Sequence, residues 1–179
     1  LNIDEPSIIV VETIPVSGAS ELVEKYKSAL KDGYEGLMLK HDVPYNNLNR
    51  SGMIKLKGSL REEFRIIGYS DGNGKDEGLI IYKCELTSKS ITRAHEYMRR
   101  KNPSFFVKIE DIMANPGSFQ VRPKDTDEHR KAEFDKMETY DGDETYFNKN
   151  ILGKLYIVEC QDFSKLLIPA RPIGIGMFD

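Results

Sequence analysis

Three charged side chains have the types and spacing to do chemistry together. Glu35 heads the apolar run in "YEGLMLK", and Lys55 and Lys57 alternate through "MIKLK". An acid at the mouth of a buried strand must be solvated, paired, or placed to hold something. Lysines neutralise phosphate oxygens as point charges, and a carboxylate helps hold magnesium, which keeps most of its waters and takes few protein ligands. If the two strands are neighbours, one acid and two cations face a single cleft suited to phosphoryl chemistry. Each residue also has a plainer reading, Glu35 as a solvated strand-end acid and the lysines as protection for a sheet edge.

The surrounding pattern supplies the elements that must position them. "SIIVVET" is continuous and β-branched, as in a strand covered on both faces. The spacing of Leu22, Tyr26, Ala29 and Leu30 predicts a helix, capped by Ser20, with Glu21 and Glu24 at its positive end and Gly33 as its stop. "EGLMLK" is the next strand. After the polar stretch "HDVPYNNLNRSG", the alternation in "MIKLK" puts Ile54 and Leu56 on one face and Lys55 and Lys57 on the other. Some 58 residues are too few to enclose a core alone, so a partner segment is expected upstream or from another chain.

Gly58 and Ser59 read as a joint, beyond which short strands alternate with turns. "EEFRIIGYS" and "GLIIYKCEL" flank the glycine-rich "DGNGKDEG", a hairpin signal. "SFQVR", "KLYIVEC" and "IGIGMF" are further strands, and "SITRAHEYMRRKN" and "DTDEHRKAEFDKM" are helices, the second capped by Thr126 or Asp125. Several short strands with long polar connections suggest a small, partly closed barrel, giving an α+β chain. The acids of "DGNGKDEG" have the look of a calcium loop, but Asp76 falls where that loop needs glycine. A plain turn is the better reading. Tyr69, Tyr82 and Phe119 are expected in the barrel core rather than stacked on bases.

Bulk properties narrow the classes. The 179 residues suit one medium domain or two small ones, and 39% apolar with 31% charged residues is ordinary for a globular protein. No apolar run is long enough for a membrane span, and no secretion signal is seen. Cys84 and Cys160 lie far apart inside apolar runs, without a CxxC, so they read as reduced core residues of a cytosolic protein. The net charge of −3 gives no global pull on nucleic acid. Its distribution is uneven: Arg50, Lys55, Lys57, Arg61 and Arg65 crowd one stretch, and acids dominate Asp125 to Glu144. One basic face can still bind a polyanion. Arg99, Arg100 and Lys101 suit the negative end of a helix and are also candidates for duplex contact.

The order "YEGLMLK", then Tyr45 and Arg50 in "PYNNLNR", then "MIKLKG" resembles motifs IV and V of the covalent nucleotidyltransferases, the superfamily of ATP-dependent DNA ligases, RNA ligases and capping enzymes. "EFRIIGY", "GKDEGLIIYKCEL", "GSFQVRP", "DTDEHR" and "GKLYIVECQDFSK" look like the OB-fold domain of ATP-dependent DNA ligases from viruses, phages and bacteria. The resemblance covers most of the chain, apart from an insertion at about residues 88–117. It implies the carboxy-terminal part of a nucleotidyltransferase domain over 1–58 and an OB-fold domain over 59–179.

The resemblance further implies a three-step reaction. A lysine attacks the α-phosphate of ATP, AMP passes to the 5′-phosphate of a nick, and the 3′-hydroxyl displaces AMP to seal the strand. Glu35 would be the motif IV acid that assists Mg²⁺ binding, and Lys55 and Lys57 the motif V lysines on the α-phosphate. Arg50, Arg122, Lys124 and Arg130 are the candidates for contact with nicked duplex DNA. The implied protein is a monomer in the cytoplasm, serving DNA replication, repair or recombination.

Two features depart from the family pattern. The nucleophile's KxDG motif is absent, and "KDG" at Lys31–Gly33 lacks the intervening residue, so an upstream segment carrying KxDG is expected and this chain alone should not take up AMP. The tail "ARPIGIGMFD" offers Arg171 but no basic residue after it, where the family places its motif VI. An RNA ligase, a capping-type enzyme and a non-catalytic OB-fold module that binds nucleic acid are the rival readings.

Overall fold

A computed structural model describes residues 12–41 and 52–178. The chain divides into two compact units, Leu1–Lys57 and Gly58–Asp179. The strand expected at residues 7–13 lies outside the described residues except for Glu12 and Thr13, which form no strand. Tyr45 and Arg50 also lie outside them.

In the first unit, helix α1 spans Ala19–Lys31. Its N-cap is Gly18, in extended backbone, and not the expected Ser20, which lies inside the first turn. No side chain caps the helix; Glu21 Oε2, in its first turn, reaches back and accepts from both the backbone N–H and the hydroxyl of Ser17 at 2.9 Å. Those hydrogen bonds, backbone first, hold the Glu21 carboxyl below its ordinary range. The helix ends in a Schellman motif, with Tyr34 N–H bonded to Ala29 O, Gly33 N–H bonded to Leu30 O, and Gly33 at φ +87°. The helix brings the chain round into β1, Gly36–Lys40, which pairs antiparallel with β2, Met53–Lys57. Ala29 is buried, whereas Val23, Leu30, Met38 and Ile54 stay exposed, as expected for so short a segment.

The second unit is built on a closed five-stranded barrel. Its strands are β3 (Leu60–Asp71), β4 (Ile80–Glu85), β5 (Ser118–Pro123), β8 (Leu155–Cys160) and β11 (Ile173–Phe178). The order around the barrel is β11-β5-β4-β3-β8, with β11 antiparallel to β8 and parallel to β5. This is the OB-fold arrangement. Strict alternation makes the core: Phe64 and Ile66, then Ile80, Tyr82 and Cys84, then Val121, then Tyr156, Val158 and Cys160 all point inward. Each large side chain so enclosed contributes roughly 1.5–3 kcal/mol relative to exposure. Tyr82 is fully buried, and Tyr69 and Phe119 pack against the same core, so these rings are structural. At Gly174 a Cβ would stand 2.3 Å from the Tyr156 ring, and only glycine lets β11 close over that tyrosine.

Helices fill the ends of the barrel. Helices α2 (Ser88–Lys101) and α3 (Ile109–Ala114) enter between β4 and β5. Thr87 and Ser90 form a reciprocal capping box at the start of α2, and Ile91 and Ala94 bury its inner face. Helix α4 (Asp127–Met137), capped by Thr126, and helix α5 (Tyr146–Asn150) lie between β5 and β8. Two short ribbons complete the unit: β6 (Tyr140–Asp141) with β7 (Glu144–Thr145), and β9 (Asp162–Phe163) with β10 (Pro169–Ala170). Among the described residues no helix is long and apolar enough to cross a membrane.

Candidate functional site

The register of β1 on β2 sets Gly36 opposite Lys57 and Met38 opposite Lys55, so both lysines project from one face of the hairpin. They stand about 6.6 Å apart along the strand. Glu35 immediately precedes β1, and Lys57 Nζ donates to Glu35 Oε1. The Lys57 side chain is only 17% exposed and the Glu35 side chain 69%, so the acid is the outer member of this pair. Lys55 is exposed beside it. Gly36 has a local reason to be glycine: a Cβ there would come within 2.0 Å of Leu56 O on the neighbouring strand. The expected constellation of Glu35, Lys55 and Lys57 is therefore gathered on one small hairpin.

The candidates on the barrel divide. Arg122, on β5, is half exposed, with Nη2 3.2 Å from Asp76 Oδ1 and 3.7 Å from Asp127 Oδ1. Lys124 is exposed just beyond that strand, where its backbone N–H bonds Gly174 O. Arg130 is corrected by the structure: its side chain is fully buried and does not reach a surface where DNA could lie. Its Nη1 donates to Asp76 Oδ1 at 3.0 Å and Asp127 Oδ1 at 3.3 Å, and its Nη2 donates to Ile80 O at 3.4 Å. The Arg130 hydrogen bond is the chief cause holding the Asp76 carboxyl below its usual range, against partial burial and with help from the charges of Arg122, Arg130 and Lys75. Burial of an arginine inside a polar-looking helix has no signature in periodicity alone.

That pairing also explains the turn that looked like a calcium loop. Asp76 is an anchor for two arginines, and Asp71 accepts from Gly78 N–H at 2.6 Å. Among the described residues no group of three or more His, Cys, Asp or Glu side chains is placed to hold a metal ion. Arg171 donates to Gln161 Oε1 at 3.2 Å and adopts φ +54°.

Lys89 and Arg93 were not singled out from the sequence, whereas Arg100 was. Lys89, Arg93 and Arg100 recur at i, i+4 and i+11 on α2 and so share one face, a spacing visible in "SKSITRAHEYMRR". The partners of Lys89 and Arg93, Glu63 and Glu62, sit on β3, some 30 residues earlier, and the sequence gives no hint of that meeting.

No family model matches the chain. The DNA ligase of African swine fever virus (strain Badajoz 1971 Vero-adapted) is 32% identical over 114 residues, covering 55% of this chain and 27% of that protein. The DNA ligase of the isolate Tick/South Africa/Pretoriuskop Pr4/1996 shows the same identity and coverage. A solved structure from work on the Lig E DNA ligases superposes with a TM-score of 0.59 at 16% identity, over 98% of this chain and 52% of that one. Another, named Pmar-Lig_PreS3, gives 0.57 at 18% identity over 88% of this chain and 30% of that one. The chain thus resembles DNA ligases in sequence, and its α+β fold, with an OB barrel as the second unit, is that of these structures. It spans 27% of the length of the curated relatives it matches.

Proposed function

We propose that this chain is the carboxy-terminal part of an ATP-dependent DNA ligase that seals nicks in duplex DNA, with residues 1–58 contributing to the nucleotide site and 59–179 forming the barrel that engages the duplex. The observation that carries this reading is the β1–β2 hairpin, where Lys57 is held by Glu35 and Lys55 projects from the same face. The donor set fits a metal-bound nucleotide. One exposed carboxylate is enough for magnesium, which keeps most of its waters and shares phosphate oxygens, and two ammonium groups match the remaining phosphate charge. When bound, ATP and Mg²⁺ supply the activated phosphoryl group.

This chain's own residues then have separate tasks. Lys57, half enclosed and oriented by Glu35, holds one phosphate oxygen in a fixed direction, and Lys55 neutralises charge from the open side. Glu35, the more exposed member of its pair, would share a cation with the phosphates while it orients Lys57. Arg122 and Lys124 face solvent from the barrel and are suited to sugar and phosphate contact, which a sequence-indifferent sealing enzyme needs.

The test is nick sealing by the complete enzyme that carries this chain, in the presence of ATP and magnesium. Lys55→Ala and Lys57→Ala should each lower sealing by about 10²-fold or more while leaving the circular-dichroism spectrum unchanged. Normal sealing by both variants removes the nucleotide-site assignment. Preference for nicked RNA over nicked DNA would move the reading to an RNA ligase.

A further inference from the structure

A groove in the barrel unit reaches the joint at Gly58 and Ser59. One wall is α2, whose Arg93, Tyr97 and Arg100 share a face at i, i+4 and i+7, and the other is the start of β3, with Ser59 and Arg61. Between them lies the buried ring of Phe163, with Tyr97 packed edge-on against it, centroids 5.9 Å apart. Ser59 is exposed, stands in irregular backbone just before β3, and makes no side-chain hydrogen bond among the described residues. The hydroxyls of Ser17, Ser28, Ser90 and Ser164, by contrast, are all engaged by neighbouring groups.

Three guanidinium groups border that free hydroxyl. Arg61 meets Glu159 at 2.9 Å and Arg93 meets Glu62 at 3.2 Å, and in both pairs the arginine is the more exposed partner. Arg100 has no acidic partner among the described residues, and its Nε donates to the Glu96 carbonyl at 3.4 Å. Glu96 is exposed and also lines the groove, so its carboxylate is the charge there that works against an anion. An arginine fork matches the oxygens of a phosphate, and a cluster of them orders a phosphorylated side chain.

We propose that Ser59 is a phosphorylation site, and that Arg61, Arg93 and Arg100 clasp the phosphate so that the joint is tied to α2. A protein kinase supplies the group. The Ser59 Oγ forms a bond to the γ-phosphorus of ATP, the bond from that phosphorus to the β,γ-bridging oxygen breaks, ADP leaves, and the hydroxyl proton passes to the kinase's base. Lys57 and Arg61, two residues before and two after, suit a kinase whose peptide groove is acidic. The product brings a charge of about −1.5 to −2 and three acceptor oxygens to a place that holds three arginines. Arg100 meets it with a fork free of any carboxylate, while Arg61 and Arg93 reach it with the N–H groups that their acids leave over. Gly58 and Ser59, which have no side-chain anchor in the unmodified chain, thereby gain one.

The experiment is incubation of the full chain with ATP, magnesium and a serine kinase selective for basic flanks, the site being read by peptide mass and the phosphate by phosphorus NMR as pH is varied. Incorporation at Ser59, abolished in Ser59→Ala, is the expected result. The same phosphorylated chain unfolded in urea gives the reference, in which the phosphate should take up its second proton near about pH 6. In the folded chain that midpoint should fall to about 5, because nearby cations favour the dianion. Arg100→Gln, which breaks no ion pair, should return the midpoint part of the way to the unfolded value, Arg93→Gln/Arg100→Gln should return it further, and Glu96→Gln should lower it. Phosphorylation should slow hydrogen exchange at Gly58–Leu60 in the parent and not in the double variant. No incorporation at Ser59 overturns the proposal, as does a folded-chain midpoint equal to the unfolded one. Neither result bears on the Lys55 and Lys57 sealing assay.

Discussion

Arg130 Nη1 lies 3.0 Å from Asp76 Oδ1, so a fully buried guanidinium on α4 pins the turn between β3 and β4 to the side of the barrel. Removing one partner of such a pair leaves the other without compensation. Arg130→Ala should lower the unfolding free energy by about 3–5 kcal/mol, read from urea denaturation. Arg122→Ala, which deletes the half-exposed neighbour on the same acid, should cost less than about 1 kcal/mol. Equal losses would mean that the guanidinium's burial is not what matters.

The same carboxylate sets a dependence on pH. Asp76 is held low in the folded chain, first by the Arg130 hydrogen bond, so its stabilising effect is complete above the ordinary aspartate range near about pH 4 and disappears as pH falls through the depressed value. Asp76→Asn should therefore melt below the parent at neutral pH, and the gap between their melting midpoints should close in acid. A gap that stays constant into strong acid contradicts the assignment.

Gly36→Ala tests the hairpin that carries the candidate site. With a Cβ 2.0 Å from Leu56 O, the two strands must part, and the amides of Leu37–Lys40 should exchange hydrogen faster than in the parent, with the barrel's amides unaffected. Nick sealing by the complete enzyme should fall with them, since Glu35 loses its place beside Lys57.

Both thiols should be silent in the native chain. Burial pushes Cys84 and Cys160 up to about 12, so neither offers thiolate near neutrality. A thiol reagent should label neither cysteine before denaturation and both afterwards. Labelling of either one in the folded chain would mean that the barrel opens locally.

How much of this was legible in the sequence depended on how local the physics is. Strands β3, β4, β5, β8 and β11 each carry period-2 alternation or a β-branched run, and the glycine-rich turn joins the first two, so the barrel could be read from its parts. Of the two caps expected for its helix, Thr126 and Asp125, the structure uses Thr126, whose hydroxyl accepts from His129 N–H. The start of α1 was misread because the helix begins one residue before Ser20, with Gly18 as its N-cap, and Glu21 in its first turn reaches back to Ser17. Helices α3 and α5 are too short to show a period. Arg130 was misplaced for a different reason: an arginine in a charged helix looks solvent-facing until the aspartates that receive it, one of them 54 residues away, are brought beside it. Glu35 and the two lysines were found because a type and a spacing identify them, whereas the pairing of Lys89 and Arg93 with acids of β3 exists only once that strand and α2 have met.

Closure of the barrel by β11 makes the unit's folding an end-loaded event. That strand lies between β5 and β8, and it is the latest of the five in chain order. A nascent chain made only as far as Pro172 would hold an open sheet with two raw edges, and each edge could recruit a strand from elsewhere. Cleavage just before Ile173 and release of β11 would recreate that open state in the finished protein. The same geometry gives a point of control, since anything that prises β11 from Tyr156 unzips both seams together.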